Sequence, residues 1–223
     1  MEYRHEWKHE ITSFDVRVLE KRLSVVARRD SHAPRGIYEI RSLYFDTAGD
    51  HALREKIDGV NPREKFRIRY YSKDTSFIRL EKKSKVNGLC LKDSVPIAEE
   101  QVLAILEGDW SWLAKQDLPL FADFYHKLRN RGLRPKTIVD YTREAFSFSP
   151  GSVRITLDYQ IRTGLSCTDF FNPRTLTVPV PSAPAILEVK WKEFLPDIIR
   201  DIIQLPGRQA GSFSKYAACR IYG

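Results

Sequence analysis

Between positions 63 and 70 every second residue is a cation: Arg63, Lys65, Arg67 and Arg69 alternate with Glu64, Phe66, Ile68 and Tyr70. Side chains two apart on a strand share a face, so one side of this segment is wholly cationic. The next run repeats the pattern, with Arg79, Glu81, Lys83 and Lys85 on one face and Ile78 and Leu80 on the other. Asn87-Gly88 then supplies turn chemistry before Leu89 to Val95, a run that includes Lys92. The expectation is a hairpin with charge stacked on one side. Such a face is too cationic to serve as a dry core, so it must either meet water or hold an anion.

The rest of the chain supplies more strands of this kind, and helices to cover their apolar faces. Thr12 and Ser13 offer an N-cap to Phe14, Val18, Leu19, Leu23 and Val26 at helical spacing. Residues 38–47 read as a strand. In the middle, Val102, Leu103, Leu106 and Leu113, then Leu120, Phe121, Phe124 and Leu128, are spaced as two amphipathic helices. Strands return at 137–148, 153–162 and 185–193. In the second of these Arg154, Thr156 and Asp158 oppose Val153, Ile155 and Leu157; in the third Glu188, Lys190 and Lys192 alternate with Leu187, Val189 and Trp191. Ile198, Ile199, Ile202 and Ile203 predict a last helix.

Charge alternating along one antiparallel strand ordinarily means one face on helices and one in water. Over several strands the balance shifts. Arg and Lys stack at successive same-face positions, at a repulsive cost that an anionic ligand relieves. Glu81, Asp158 and Glu188 sit singly among the cations, where they can neutralise neighbours or hold a metal. The sequence therefore predicts an α+β fold, an antiparallel β-barrel with helices packed outside and charge within, formed by residues 1–223 as a single domain. The 37 Lys and Arg against 29 Asp and Glu favour polyanionic partners. Cys90, Cys167 and Cys219 are widely separated and odd in number, which with the charged N-terminus predicts a cytoplasmic location. No apolar run approaches the roughly 20 residues that span a bilayer, and no Walker-type glycine loop is present.

The segments YRHEWKHEI, SLYFDT, FRIRYY, LEKKSK, YTREAF, VRITLD, ILEVKW and SFSKY, in this order and spacing, resemble the VTC domain. This is the catalytic domain of polyphosphate polymerases, within the triphosphate tunnel metalloenzymes. The resemblance runs over nearly the whole chain and implies an eight-stranded antiparallel tunnel. It implies transfer of the terminal phosphate of ATP onto inorganic polyphosphate with Mn²⁺ or Mg²⁺; from the sequence itself no specific nucleic acid partner and no membrane segment in this chain are expected. Phosphate contacts are implied for Lys8, Arg67, Arg69, Lys83, Lys92, Arg143, Arg154, Lys190 and Lys215, with Arg54 or Lys56 filling an early basic position. Lys8, Arg67, Arg69, Lys83, Arg154 and Lys190 are the expected catalytic residues, and Glu188 the expected metal ligand.

Glu6, Glu10, Glu81 and Asp158 are expected to orient the basic residues. His5 and His9 read as structural, and Trp7, Trp110, Trp112 and Trp191 as core. A hydrolase acting on tripolyphosphate or nucleoside triphosphates, a non-catalytic polyphosphate binder and a nucleic-acid binder are the alternatives. Oligomeric state is left open.

Overall fold

A computed structural model describes residues 5–32, 34–87, 89–181 and 183–221. The elements run β1 (His5–Ile11), α1 (Ser13–Val26), β2 (Arg28–Arg29), β3 (Ile37–Asp46), α2 (His51–Ile57), β4 (Arg63–Tyr71), β5 (Asp74–Val86) and β6 (Leu89–Pro96). They continue with α3 (Glu99–Glu107), α4 (Pro119–Asn130), β7 (Arg134–Phe148), β8 (Val153–Thr163), β9 (Val178–Pro179), β10 (Ala185–Trp191), α5 (Asp197–Ile203) and α6 (Lys215–Ile221). The main strands form an antiparallel sheet in the hydrogen-bonded order β1-β10-β8-β7-β3-β4-β5-β6. The fold is thus mixed α+β on an eight-strand antiparallel path with helices beside it, as the alternation and the resemblance imply. No described helix is long and apolar enough to cross a membrane.

The chain divides into two compact units, Met1–Glu39 with Tyr141–Ile161 and Pro179–Lys215, and Ile40–Asp140 with Arg162–Val178 and Tyr216–Gly223. Each has its own core. In the first, α1 starts on a capping box: Asp15 N donates to Thr12 Oγ1 at 3.2 Å and Thr12 N to Asp15 Oδ2 at 2.9 Å, which satisfies two otherwise orphaned donors. Its buried stripe of Val16, Leu19 and Leu23 packs with Ile199 and Ile203 of α5 on Val153, Ile155, Leu157, Leu187 and Val189 of the strands. The second core sets Leu43, Phe45, Phe66, Ile68, Ile78 and Leu80 against Val102 and Ile105 of α3 and Phe121, Phe124 and Leu128 of α4. Phe124 meets Phe45 edge-on at 5.0 Å and Phe66 at 5.3 Å between ring centroids. In both units the apolar members of the alternating strands are the ones covered by helix, which leaves the charged members on the opposite face.

Three elements lie outside those read from the sequence. The segment holding Arg54 and Lys56, for which no element is read there, is a helix, α2. It buries no side chain, and its first N–H groups are capped by Asp46 and Thr47 rather than by the N-cap residue Asp50, so it lacks the usual stripe and adjacent-cap signals by which a helix is read. The opening charged segment is a strand, β1, fixed by its backbone pairing with β10 from His5↔Trp191 to Ile11↔Ala185. The C-terminal KYAAC run lies in α6. The expected Asn87-Gly88 turn is only half described: Asn87 has φ 50°, and Gly88 lies outside the described residues.

Phe124→Ala removes the ring that joins helix to sheet in the second core and is expected to cost about 3–5 kcal/mol. Urea unfolding measures this; a loss under about 1 kcal/mol contradicts its place in the core.

Candidate functional site

The charged faces of the strands are the candidate site, and each unit has its own. In the second unit the antiparallel registers line up same-face residues in rows across strands. One row runs Tyr44–Arg67–Glu81–Ser94, the next Ser42–Arg69–Arg79–Pro96, and the third Lys65–Lys83–Lys92. Arg67, Arg69, Lys83 and Lys92, all expected site residues, therefore share one face.

Glu81, buried at 2% exposure, organises them. Its Oε2 accepts from Arg67 Nε at 2.7 Å and lies 2.6 Å from Arg67 Nη2 and 3.9 Å from Arg69 Nη1, while Lys92 Nζ lies 2.5 Å from Oε1. Burial acts to raise the Glu81 carboxyl, but Arg67, Arg69 and Lys92 outweigh it and hold the group far below the usual carboxylate range. Burial lowers the Lys92 ammonium, with Glu81 opposing. Arg69 Nε donates to Ser42 Oγ at 2.9 Å, and Arg67 Nη1 donates to the Tyr44 hydroxyl at 2.8 Å. The third row puts three ammonium side chains side by side. Like charges directly opposite on a sheet destabilise it, so this row, from which Lys92 also pairs with Glu81, adds positive charge to the face.

The first unit is differently balanced. The register places Lys8 opposite Glu188, Glu6 opposite Lys190, and Lys190 opposite Arg154. Lys8 Nζ lies 3.0 Å from Glu6 Oε1 and 3.7 Å from Glu188 Oε2; Lys190 Nζ lies 3.6 Å from Glu6 Oε1 and 2.5 Å from Glu188 Oε1. Two carboxylates and two ammoniums thus alternate in a ring. Burial acts to raise Glu188, yet Lys190, Lys8, Arg143 and Lys215 hold it well below the usual range, so it stays ionised.

Beside the ring, fully buried Asp158 accepts from Arg143 Nε at 2.6 Å and Nη2 at 2.8 Å, and from Lys215 Nζ at 2.6 Å. Burial acts to raise the Asp158 carboxyl, but Arg143 and Lys215 bring it to about 2. Lys215 and Arg143 also sit over the Tyr141 ring at 4.7 and 5.6 Å.

Glu81 and Asp158 therefore orient basic side chains, in the role expected for them. Glu6 belongs to the Glu188 ring, whereas Glu10 borders a separate cavity of ≈ 610 Å³ with Thr12, Tyr159 and Arg208. Arg154 points elsewhere: its Nη2 pairs with Asp30 Oδ2 at 2.9 Å rather than with the ring. Arg54 and Lys56 both lie on α2, in its last turn. His5 stacks on Trp191, and Trp7 meets Trp191 edge-on at 4.9 Å but is 37% exposed, so it is only partly core. Tyr44 and Ser42 were not singled out by the sequence, because aromatic and small residues in a strand read as packing. The signal that exposes them is register, since they fall opposite Arg67 and Arg69.

Glu188 and Glu6 are the oxygen donors available to a divalent ion. Among the described residues no group of three or more His, Cys, Asp or Glu side chains forms a metal-binding cluster. Mg²⁺ and similar hard ions are often held by one or two carboxylates and complete their shell with phosphate oxygens and water. The donor set fits that mode, and does not fit an all-protein cage.

Comparison with protein families matches residues 3–221 to the VTC domain. Comparison with curated proteins returned no match. Among solved structures, the PH1819 protein of Pyrococcus horikoshii OT3 is 17% identical with a TM-score of 0.44, covering 90% of this chain and 84% of that one. A Bacillus halodurans protein provisionally named an adenylate cyclase is 13% identical with a TM-score of 0.47, covering 86% and 82%.

Asp158→Asn leaves Arg143 and Lys215 without their buried counter-charge and is expected to destabilise by about 3–5 kcal/mol. The pH dependence has a definite sign. A carboxyl lowered from 3.8 to about 2 on folding contributes stability above its unfolded value, and loses it as pH falls through the folded one. Thermal melts of the parent should therefore drop between pH 4 and 2 more steeply than those of the variant; equal slopes contradict the assignment.

Proposed function

Because the chain belongs to the VTC domain family, we propose that it is a metal-dependent phosphotransferase that moves the terminal phosphoryl group of ATP onto inorganic polyphosphate. The observation that carries this reading is the Lys65–Lys83–Lys92 row beside Arg67 and Arg69, a face on which cations outnumber the shared Glu81 and which suits a multiply charged anion. Phosphoryl transfer asks little covalent chemistry of a protein. It needs in-line positioning and cations arranged where charge spreads over the transferring group.

Arg67 and Arg69, fixed by Glu81, Ser42 and Tyr44, present planar guanidiniums suited to paired phosphate oxygens, while Lys83 and Lys92 act as point charges. Arg143 and Lys215, held by Asp158, add donors on the face of the first unit. There Glu188 is the metal ligand, with Glu6 beside it, and Lys8 and Lys190 keep it ionised and oriented. A bound Mn²⁺ or Mg²⁺ supplies charge neutralisation at phosphate oxygens. Arg154, committed to Asp30, acts at the margin of this arrangement. Arg54 or Lys56 supplies a further basic contact from α2. A cytoplasmic setting is part of this reading, on the odd number and wide separation of Cys90, Cys167 and Cys219.

Purified protein incubated with ATP and Mn²⁺ or Mg²⁺, with ADP, free phosphate and polyphosphate followed in parallel, tests the proposal. Polyphosphate with ADP is expected. Free phosphate without polymer makes it a triphosphatase, and neither product with tight polyphosphate binding makes it a binder. Arg67→Ala and Lys83→Ala should each lower turnover by roughly 100-fold or more, with the fold retained by circular dichroism; unchanged turnover in both rejects the basic face as the site. Glu188→Gln should raise the metal concentration needed for half-maximal rate, and superimposable metal titrations reject its role as ligand.

A further inference from the structure

On the basic face of the second unit the proposed reaction uses the Tyr44 hydroxyl only to orient Arg67. The Tyr44 ring is buried, at 3% exposure, and stacks on Tyr216 with centroids 5.0 Å apart. The two phenols are oppositely placed. Tyr216 donates its proton to Asp46 Oδ2 at 2.6 Å, and that carboxylate is itself fixed by the backbone N–H groups of Thr47, Ala52 and Leu53. Tyr44 instead accepts from Arg67 Nη1 at 2.8 Å. A phenol oxygen that accepts still carries a proton to give, and among the described residues that proton is given to no protein acceptor.

The hydroxyl belongs to the row shared with Arg67 and Glu81, one position from the Lys65–Lys83–Lys92 row. We propose that the Tyr44 hydroxyl is a phosphate-contacting group, accepting from Arg67 while donating its own proton to a phosphoryl oxygen of the polyanion bound on this face. The inference rests on the phosphate reading and deepens it by assigning a neutral, proton-dependent donor within a cationic site.

The surroundings give that donor a pH range. Lys65, Arg67 and Arg69 face the ring from β4, Tyr216 faces it from α6, Asp46 lies two residues along β3, and Glu81 of β5 reaches it only through Arg67. Burial acts to raise the Tyr44 phenol, but Arg67, Lys65 and Arg69 bring it down to about 7. Burial and Asp46 together raise Tyr216, which stays neutral. Below pH 7 Tyr44 is a phenol that can donate. Above it the phenolate neutralises the same cations that phosphate needs, and repels the ligand. Phosphate binding must then take up a proton, and affinity falls as pH rises through about 7.

Isothermal titration of the protein with tripolyphosphate at pH 6 and pH 8.5, parent against Tyr44→Phe, tests this, because the ligand's own ionisation cancels in the ratio. At pH 6 the variant should bind roughly 10-fold more weakly, the effect of one lost hydrogen bond to a charged acceptor. At pH 8.5 the two should bind alike, or the variant more tightly. The same ratio at both pH values overturns the inference and leaves the phosphate reading standing; no tripolyphosphate binding by the parent overturns both. A second readout does not depend on the variant folding. Tripolyphosphate added to the parent at pH 7.5 should remove tyrosinate absorbance near 295 nm, and no change in that absorbance overturns the assignment.

Discussion

Like charges on one face of a strand repel, and the way this chain contains that repulsion determines the rest of its design. In each unit a deeply buried carboxylate is shared among cations: Glu81 by Arg67, Arg69 and Lys92, and Asp158 by Arg143 and Lys215. Taking a carboxylate out of water is costly unless several charged partners hydrogen-bond it, and both are held in that way. In return each fixes the direction of long, flexible side chains that would otherwise sample many rotamers. The basic groups are thereby ordered before any ligand arrives, which lowers the entropy cost of binding.

The two faces then differ in what they still lack. On the first unit Glu6, Glu188, Lys8 and Lys190 close a ring in which charge is balanced, so an added cation with its own anions is tolerated there. On the second unit Lys65, Arg67, Arg69, Arg79, Lys83 and Lys92 share the face with Glu81, and positive charge is in excess. The proposed reading accordingly assigns the metal to the first face and phosphate to the second. Tyr44 extends the same logic, since a phenol surrounded by cations becomes an internal counter-ion when no external one is bound.

Much of this was legible in the sequence, because strand alternation is a local signal. Arg67, Arg69 and Lys83 share a face by counting alone, and Glu81 and Asp158 stood out as lone acids among same-face cations. What was not legible depends on which strands are neighbours. The Arg154–Asp30 pair joins residues far apart in the chain, and no spacing rule connects them. Tyr44 acquires its meaning only from lying opposite Arg67. The helix α2 lacks a buried stripe and is capped from Asp46 and Thr47 rather than from its N-cap residue, and β1 owes its form to pairing with β10, so neither left a periodic trace.

The central claim is that the Arg67–Lys83–Lys92 face exists to hold phosphate. A crystal structure of the protein soaked with tripolyphosphate and Mn²⁺ tests it most directly. The account predicts phosphorus density with oxygens within hydrogen-bond reach of Arg67 and Lys83. Phosphate bound elsewhere, with that face still occupied only by its own Glu81, would contradict it.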